Sequence, residues 1–378
     1  MMHERIYLSR PSVNGRELNH IHRLLTDGCT NPTGTQIHTF EQRLSQYTNS
    51  KHVLAVASGT AAIHLAMMAL NVEKGDIVLC QSLTFVASAN PICYRGATPV
   101  FIDSEKDTWN ICPDALEEAI KYYIQKGKKP RALIGVHMYG MPLRLEAVLD
   151  ICARYEIPFI EDAAEALGSN YKGLSVGSFG KIGVLSFNMN KIITTSGGGA
   201  LLTDDHLIYK KAHFLSTQAK DNAPFYQHSQ VGYNYRMGDL NAAMGLAQME
   251  SIEESVNKRR SNFDFYKQTL QHLPGLSFQN GPDNCRSNRW LTAILIDPRE
   301  SRGVDRETIR LELENENIES RPVWKPMHLQ PLFKTAKYFG RKLSEELFTN
   351  GLCLPSGSDL GIADLKRVAE CIVNCFVK

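Results

Sequence analysis

From residue 51 to residue 204, short unbroken apolar runs alternate with longer stretches in which apolar residues return every three or four positions. KHVLAVA (51–57), DIVLC (76–80), TPVFID (98–103), ALIGVHM (132–138) and IPFIED (157–162) have the length and apolar character of buried strands. Between them, SGTAAIHLAMMAL (58–70), PDALEEAIKYYIQKG (113–127) and LEAVLDICARY (145–155) have helical spacing, the second opening on proline and closing on glycine. SLTFVASANPICYRG (82–96) reads as a loop and a helix that Gly96 ends, while GKIGVLSFN (180–188) and GGALLTD (198–204) add two further strands. Strands that carry apolar residues on both faces need cover on both faces. The alternation therefore predicts an α/β fold with a mixed, mostly parallel sheet flanked by helices.

Beyond residue 210 the rhythm changes to a helix-rich stretch at 241–273, suited to linking two domains. A second α/β part follows: a strand in NRWLTAILI (288–296), a helix in DRETIRLELENENI (305–318), a strand in ESRPVWKP (319–326) and a last helix in DLKRVAECIVNCF (364–376). This predicts a large domain over residues 1–245 and a smaller C-terminal α/β domain over 246–378. There is no internal repeat or low-complexity tract to suggest another architecture.

Composition narrows the partners. The 42 Lys and Arg residues nearly balance the 40 Asp and Glu residues, for a formal charge of +2, with no basic block or acidic tail. Neither nucleic acid nor a membrane surface is an expected partner. The nine cysteines are odd in number and scattered through apolar contexts, as reduced core thiols would be. Cys371 and Cys375, four apart on a helix, lack neighbouring His or acidic ligands, so no metal site is expected. The start, MMHERIYLSRP, has no apolar signal core, and no run approaches the about 18 apolar residues of a spanning helix. A cytoplasmic location is the expectation.

Three constellations carry chemistry. In VASGTAA a strand runs through Ser-Gly-Thr directly into a helix, placing Gly59 and Thr60 at a helix N-terminus, where free N–H groups and the dipole favour an anion. The alternative is that Ser58 or Thr60 merely caps the helix. In PFIEDAAEALG, Asp162 ends a buried parallel strand, where ligands of open α/β sheets bind and where a carboxylate is costly without a cation or several donors. A protonated pyridine nitrogen is such a cation; helix capping by Asp162, with Glu165 as its capping-box partner, is the alternative. In SFNMNKIITTSGGGALL, Lys191 precedes Ile192, Ile193, Thr194 and Thr195, which favour a buried extended chain. Burial lowers a lysine pKa, and Schiff-base chemistry needs the neutral amine. Gly197, Gly198 and Gly199 then let the backbone approach a bound group, although a hairpin with a snorkelling lysine would also fit. A phosphate cup, an acid for a ring nitrogen and an amine for an aldehyde, on one sheet, are the attachment points of pyridoxal 5′-phosphate.

SGTAAIHLA, EDAAEALGSNYKG, SFNMNKIITTSGGGALL, GYNYRM and RPVWKPMH, in this order, give the chain a resemblance to the DegT-type sugar-nucleotide aminotransferases of the fold-type I pyridoxal-phosphate enzymes. The resemblance runs from IYLSRP (6–11) to CLPSGS (353–358) and looks closest to the subgroup that aminates C4 of a UDP-4-keto-6-deoxy-N-acetylhexosamine. It implies that Lys191 holds the cofactor and moves the proton between cofactor and sugar, and that Asp162 pairs with the ring nitrogen. It further implies phosphate contacts from Gly59, Thr60 and Ser186, stacking of Phe85 on the ring, and a homodimer in which Asn234 reaches the neighbouring subunit's phosphate site. Asn188 matches a substrate-binding position. Arg236, Lys325 and His328 are candidate contacts to substrate phosphates or sugar, with ordinary surface charge as the other reading.

Two departures from the family pattern matter. Ser196 stands where many members have Glu, and Glu165 stands near the cofactor's phenolic oxygen where many have Gln or His. The first, together with Asn188 and Asn190, points towards the UDP-linked subgroup. By resemblance the donor is glutamate and the product serves bacterial surface-glycan synthesis. A 3-aminotransferase of a dTDP-3-keto-6-deoxyhexose is the nearest alternative. A related 3-dehydratase would carry histidine at position 191, a non-catalytic regulator would carry a DNA-binding module, and a NAD-linked dehydrogenase would need a glycine fingerprint that is not present.

Overall fold

Eight strands form one large sheet in the order His52–Val56, Gly199–Thr203, Ile182–Ser186, Phe159–Asp162, Ala132–Val136, Ile77–Gln81, Thr98–Ile102 and Tyr338–Phe339. The computed structural model describes residues 4–13, 15–26, 35–282 and 284–377. All neighbours from Ile182–Ser186 to the Tyr338–Phe339 edge run parallel, and only Gly199–Thr203 is antiparallel to both of its neighbours. The mixed, mostly parallel sheet expected from the apolar runs is thus present. Its strands are buried at nearly every position, which is why they read as unbroken apolar runs.

Register decides where the strand ends meet. Gly199 pairs with Val56 on one side and Ser186 on the other, so the carboxyl ends of two strands flank it. The helix Gly59–Ala69 begins three residues after Val56 and therefore starts beside Ser186. One strand further in, Asp162 lies opposite Val136 and Val184. Gly59, Ser186 and the buried acid consequently share the carboxyl edge of the sheet.

A second, antiparallel sheet of four strands, Leu276–Phe278, Thr292–Ile296, Gly351–Leu354 and Arg321–Pro322, comes wholly from residues beyond 245. Its core joins Tyr266 and Leu270 with Ile294, Ile309, Leu313 and Ile372, and Ile6 from the N-terminal segment belongs to the same cluster. Residue 245 itself lies inside the helix Asp239–Met249, which packs on the helices Arg16–Thr26 and Thr35–Thr48. The 241–273 stretch is two helices, Asp239–Met249 and Ile252–Leu270. In the expected strand at 319–326 only Arg321–Pro322 pairs, because Pro322 has no N–H to continue a ladder. A small sheet of Asn170–Tyr171, Leu174–Ser175 and Cys285–Arg286 is too short to announce itself by alternation. Cys371 and Cys375 lie in the apolar core, where Cys375 Sγ donates to Cys371 O at 3.4 Å; Cys29 lies outside the described residues. Among the described residues no helix is long and apolar enough to cross a membrane.

Glu161 shows how the sheet edge is held. Its fully buried carboxylate accepts from His137 Nε2 at 2.7 Å and from the backbone N–H groups of Gly177, Phe179 and Gly180 at 2.5, 2.8 and 2.9 Å. The N–H of Leu143 donates to His137 Nδ1, which makes Nε2 the donor towards Glu161. Burial pushes this carboxyl up, but the His137 ring and the backbone donors outweigh burial and hold it below its ordinary value. Glu161→Gln would turn an amide NH2 towards backbone donors or towards the His137 N–H. The expected loss is about 2–4 kcal/mol in unfolding free energy. Denaturant melts of the two proteins check this, and equal midpoints would contradict it.

Candidate active site

A cavity of about 620 Å³ opens at the carboxyl edge of the large sheet. Its walls come from the sheet (Ser58, Gly59, Thr60, Asp162, Ser186), from the connection holding Asn188, Asn190 and Lys191, and from Trp290, Arg321, Trp324 and Cys353 of the C-terminal part. Leu8 and Ser9 close one side.

At the helix start, Ser58 has extended backbone and its Oγ accepts the Ala61 N–H at 3.0 Å. Ser58 is therefore the cap, as one reading of the sequence allowed. The first intrahelical bond runs from Ala62 N–H to Ser58 O, so Gly59 and Thr60 stand ahead of it with helix-terminal amides. Capping and anion binding are thus compatible here. The turn is packed so closely that a Cβ on Gly199 would lie 2.5 Å from Gly59 N, and one on Gly59 would lie 3.1 Å from Ser186 Cβ. Glycine at 199 is a requirement of this approach.

Asp162, 4% exposed, accepts from Ser88 Oγ at 2.7 Å and from Ala164 N–H at 3.1 Å, both neutral donors. Burial raises its pKa, with these two hydrogen bonds and the Lys191 charge opposing. A buried anion held only by neutral donors is suited to a cationic ligand atom.

Lys191 lies in the connection between the strands Ile182–Ser186 and Gly199–Thr203. Its Nζ is 3.6 Å from Glu165 Oε1 and 4.1 Å from the centre of the Trp290 ring, with the side chain 13% exposed. The connection is pinned from outside, since Asn190 O accepts from Trp290 Nε1 at 2.7 Å and from Ser9 Oγ at 2.9 Å. Ile192, Ile193, Thr194 and Thr195 are buried as expected, but Ile192 and Ile193 lie in a bend and none of the four belongs to a strand. Thr195 N–H and Thr194 Oγ1 both turn back to Phe187 O, and Ser196 takes a left-handed φ of 67°, so the chain folds over itself. Glu165 accepts the Tyr139 N–H at 2.7 Å, and burial raises its pKa to about 7 against the opposing charge of Lys191.

The remaining sequence candidates divide. Phe85 and Asn188 line the cavity, Phe85 being 56% exposed with its ring 5.6 Å from Trp324. Lys325 is exposed on an adjoining groove that shares Phe85 and Trp324 with the cavity. The structure does not bring Arg236 to the cavity: its guanidinium forms a two-pronged pair with Glu41 and also donates to Ala55 O at 2.8 Å. His328 is likewise placed elsewhere, bonded to Ser82 Oγ at 2.7 Å, stacked on Tyr338 at 3.8 Å and facing Glu345 at 3.4 Å. Asn234 is exposed and lies outside the cavity of its own chain. Sequence reasoning passed over Ser88, Trp290, Glu319, Arg321 and Trp324. Ser88 lies three residues after Phe85, and Arg321 and Trp324 lie in RPVWKPMH with Lys325 and His328.

These residues fit pyridoxal phosphate at each attachment point. The helix start with Ser186 suits its phosphate, the Asp162 carboxylate its ring nitrogen, and Lys191 its aldehyde.

Comparison with known proteins identifies the family. Residues 11–373 match the DegT/DnrJ/EryC1/StrS aminotransferase family. The chain is 46% identical over 379 residues to the Bacillus subtilis (strain 168) protein named "Putative pyridoxal phosphate-dependent aminotransferase EpsN", covering 99% of this chain and 97% of that protein. It is 34% identical over 363 residues to the GDP-perosamine synthase of Escherichia coli O157:H7, covering 96% of each. The crystal structure of a DegT DnrJ EryC1 StrS aminotransferase from Brucella abortus superposes with a TM-score of 0.89 at 28% identity, over 96% of both chains. The chain belongs to the DegT/DnrJ/EryC1/StrS family and is a pyridoxal-phosphate-dependent sugar aminotransferase.

Proposed function

We propose that the chain transfers the amino group of glutamate to the C4 ketone of a UDP-linked 4-keto-6-deoxy-N-acetylhexosamine. The observation that carries the aminotransferase part is the meeting of Lys191, Asp162 and the Gly59 helix start in one cavity. The choice of sugar is supported by the run holding Asn188, Asn190 and Ser196, of which Asn188 and Asn190 line that cavity. A second reading is favoured by a relative: the similarity to a GDP-perosamine synthase supports a GDP-linked sugar at the same site.

Pyridoxal phosphate, when bound, supplies an electron sink for the bond that loses its proton. The chain's own residues do the rest. Gly59, Thr60 and Ser186 would hold the phosphate, and the Asp162 carboxylate, steadied by Ser88 and Ala164, would keep a proton on the ring nitrogen. Phe85 would pack against the ring. Lys191 would hold the aldehyde and, as a free amine, would carry the proton between the two reacting carbons as general base and acid. Trp290 and Ser9 hold the connection that carries it. Glutamate and the nucleotide sugar are both anionic, and Arg321 is the cation at the mouth, two-thirds exposed and tied to Glu319 at 2.8 Å. Lys325 extends positive charge along the adjoining groove. Asn234, exposed and away from its own cavity, suits delivery to a second copy of the chain. A homodimer with shared sites follows from that reading, and the cytoplasm is its proposed location.

Gly199→Ala pushes a methyl into the Gly59 amide, and a weakening of pyridoxal phosphate binding of about tenfold or more is expected from the displaced anion seat. Fluorescence titration of the cofactor-free protein checks it, and unchanged affinity would show that the seat lies elsewhere. Lys191→Ala should abolish turnover, and Asp162→Asn should lower it by at least about a hundredfold, the scale of a lost electrostatic partner in a dry site. Near-normal rates in either variant would sink the assignment. Finally, purified protein with glutamate should convert a UDP-4-keto-6-deoxy-N-acetylhexosamine faster than GDP- or dTDP-linked keto sugars, with NMR placing the new amine at C4. Preference for a GDP-linked substrate would favour the second reading, and amination at C3 would overturn both.

A further inference from the structure

The mechanism leaves Glu165 without a task, although it lies 3.6 Å from the reacting amine and is almost wholly buried. A buried carboxyl is costly unless its charge is met. Oε2 receives the Tyr139 N–H at 2.7 Å, while Oε1 faces Lys191 Nζ. The ammonium of Lys191 lies between this oxygen and the face of Trp290. In its charged form the lysine is thus held by a carboxylate and a π-face, and a charged lysine is no nucleophile.

We propose that Glu165 is the proton acceptor of Lys191: it takes the proton that the ammonium sheds when the nitrogen becomes a nucleophile, and holds it while the lysine is neutral. The Nζ–H bond breaks, an O–H bond forms on Glu165, and a buried ion pair becomes a buried neutral pair. No charge leaves the site. Without the ammonium charge beside it, the desolvation that already raises Glu165 to about 7 favours its protonated form.

The other groups facing this point are poorer acceptors. Asp162 already accepts from Ser88 and Ala164. The Tyr139 hydroxyl accepts the Trp324 N–H, and burial drives its phenol well above the ordinary value. Burial likewise raises the Cys353 thiol to about 12, with the Glu165 charge adding to the shift.

The inference rests on Lys191 being the residue that holds the cofactor, and infrared difference spectroscopy separates the two claims. Spectra of cofactor-free and pyridoxal-phosphate-loaded protein are compared, with the visible absorption band reporting loading. The wild type should gain the C=O stretch of a protonated carboxyl on loading. That band should shift when the glutamate residues carry ¹³C at the side-chain carboxyl, stay unshifted when the aspartates do, and be missing in loaded Glu165→Gln. Loading without such a band, or a band that follows aspartate label or survives in the variant, overturns the proposal while leaving the aminotransferase reading intact. No visible band in the wild type overturns both. The wild-type labelling alone suffices if the variant does not load.

Discussion

The structure is organised by the need to keep three carboxylates, Glu161, Asp162 and Glu165, buried within one turn of chain at the end of a central parallel strand. Each is 4% exposed or less, and burying a charge is expensive unless donors or a cation meet it. The three are met differently. Glu161, on one face, has a histidine and three backbone donors and serves the fold. Asp162, on the opposite face, has two neutral donors, and Glu165 has one backbone N–H and the neighbouring lysine. The alternation of the strand thus separates a satisfied structural acid from two whose charge is left for chemistry.

Everything around that strand end limits what can approach it. The register of Gly199 between Val56 and Ser186 brings the helix start to the same edge, which is why Gly59, Thr60 and the acid lie in one cavity. The far wall is set by Arg259. Fully buried, it donates to Trp290 O at 2.6 Å, Ser356 O at 3.2 Å and Ser9 Oγ at 3.0 Å. Burial lowers its pKa to about 10, so it stays charged at neutral pH while held by neutral acceptors alone in these contacts. It ties together the N-terminal segment, the smaller sheet and the indole that covers Lys191, and so couples the position of the amine to the core.

Much of this was legible along the chain. Strands buried on both faces declare themselves as unbroken apolar runs, and the strand-to-helix junction at Ser58–Thr60 and the acid at the end of IPFIED are local features. The β-branched run after Lys191 reported burial truly and conformation wrongly, because Ile and Thr side chains fill a core equally well from a folded-back loop. Arg236 and His328 lie outside the cavity of their own chain for a different reason. A charge is visible in a sequence, but its partner is not: Glu41 lies 195 positions from Arg236, and Ser82 lies 246 positions from His328. Trp290, Ser9 and Arg321 escaped notice because they reach the cavity only through packing of the C-terminal part and the N-terminal segment against the sheet edge. The expected division at 245 had to rest on a change of rhythm, whereas the chain crosses back at Tyr338–Phe339 to extend the large sheet.

The central claim is that one lysine, held between a buried carboxyl and an indole, is the point of covalent attachment. Borohydride reduction of the pyridoxal-phosphate-loaded protein fixes the bond, and peptide mass mapping locates it. The account predicts a single adduct, on the peptide containing Lys191; an adduct confined to another lysine, or none under conditions where the cofactor is bound, would contradict it.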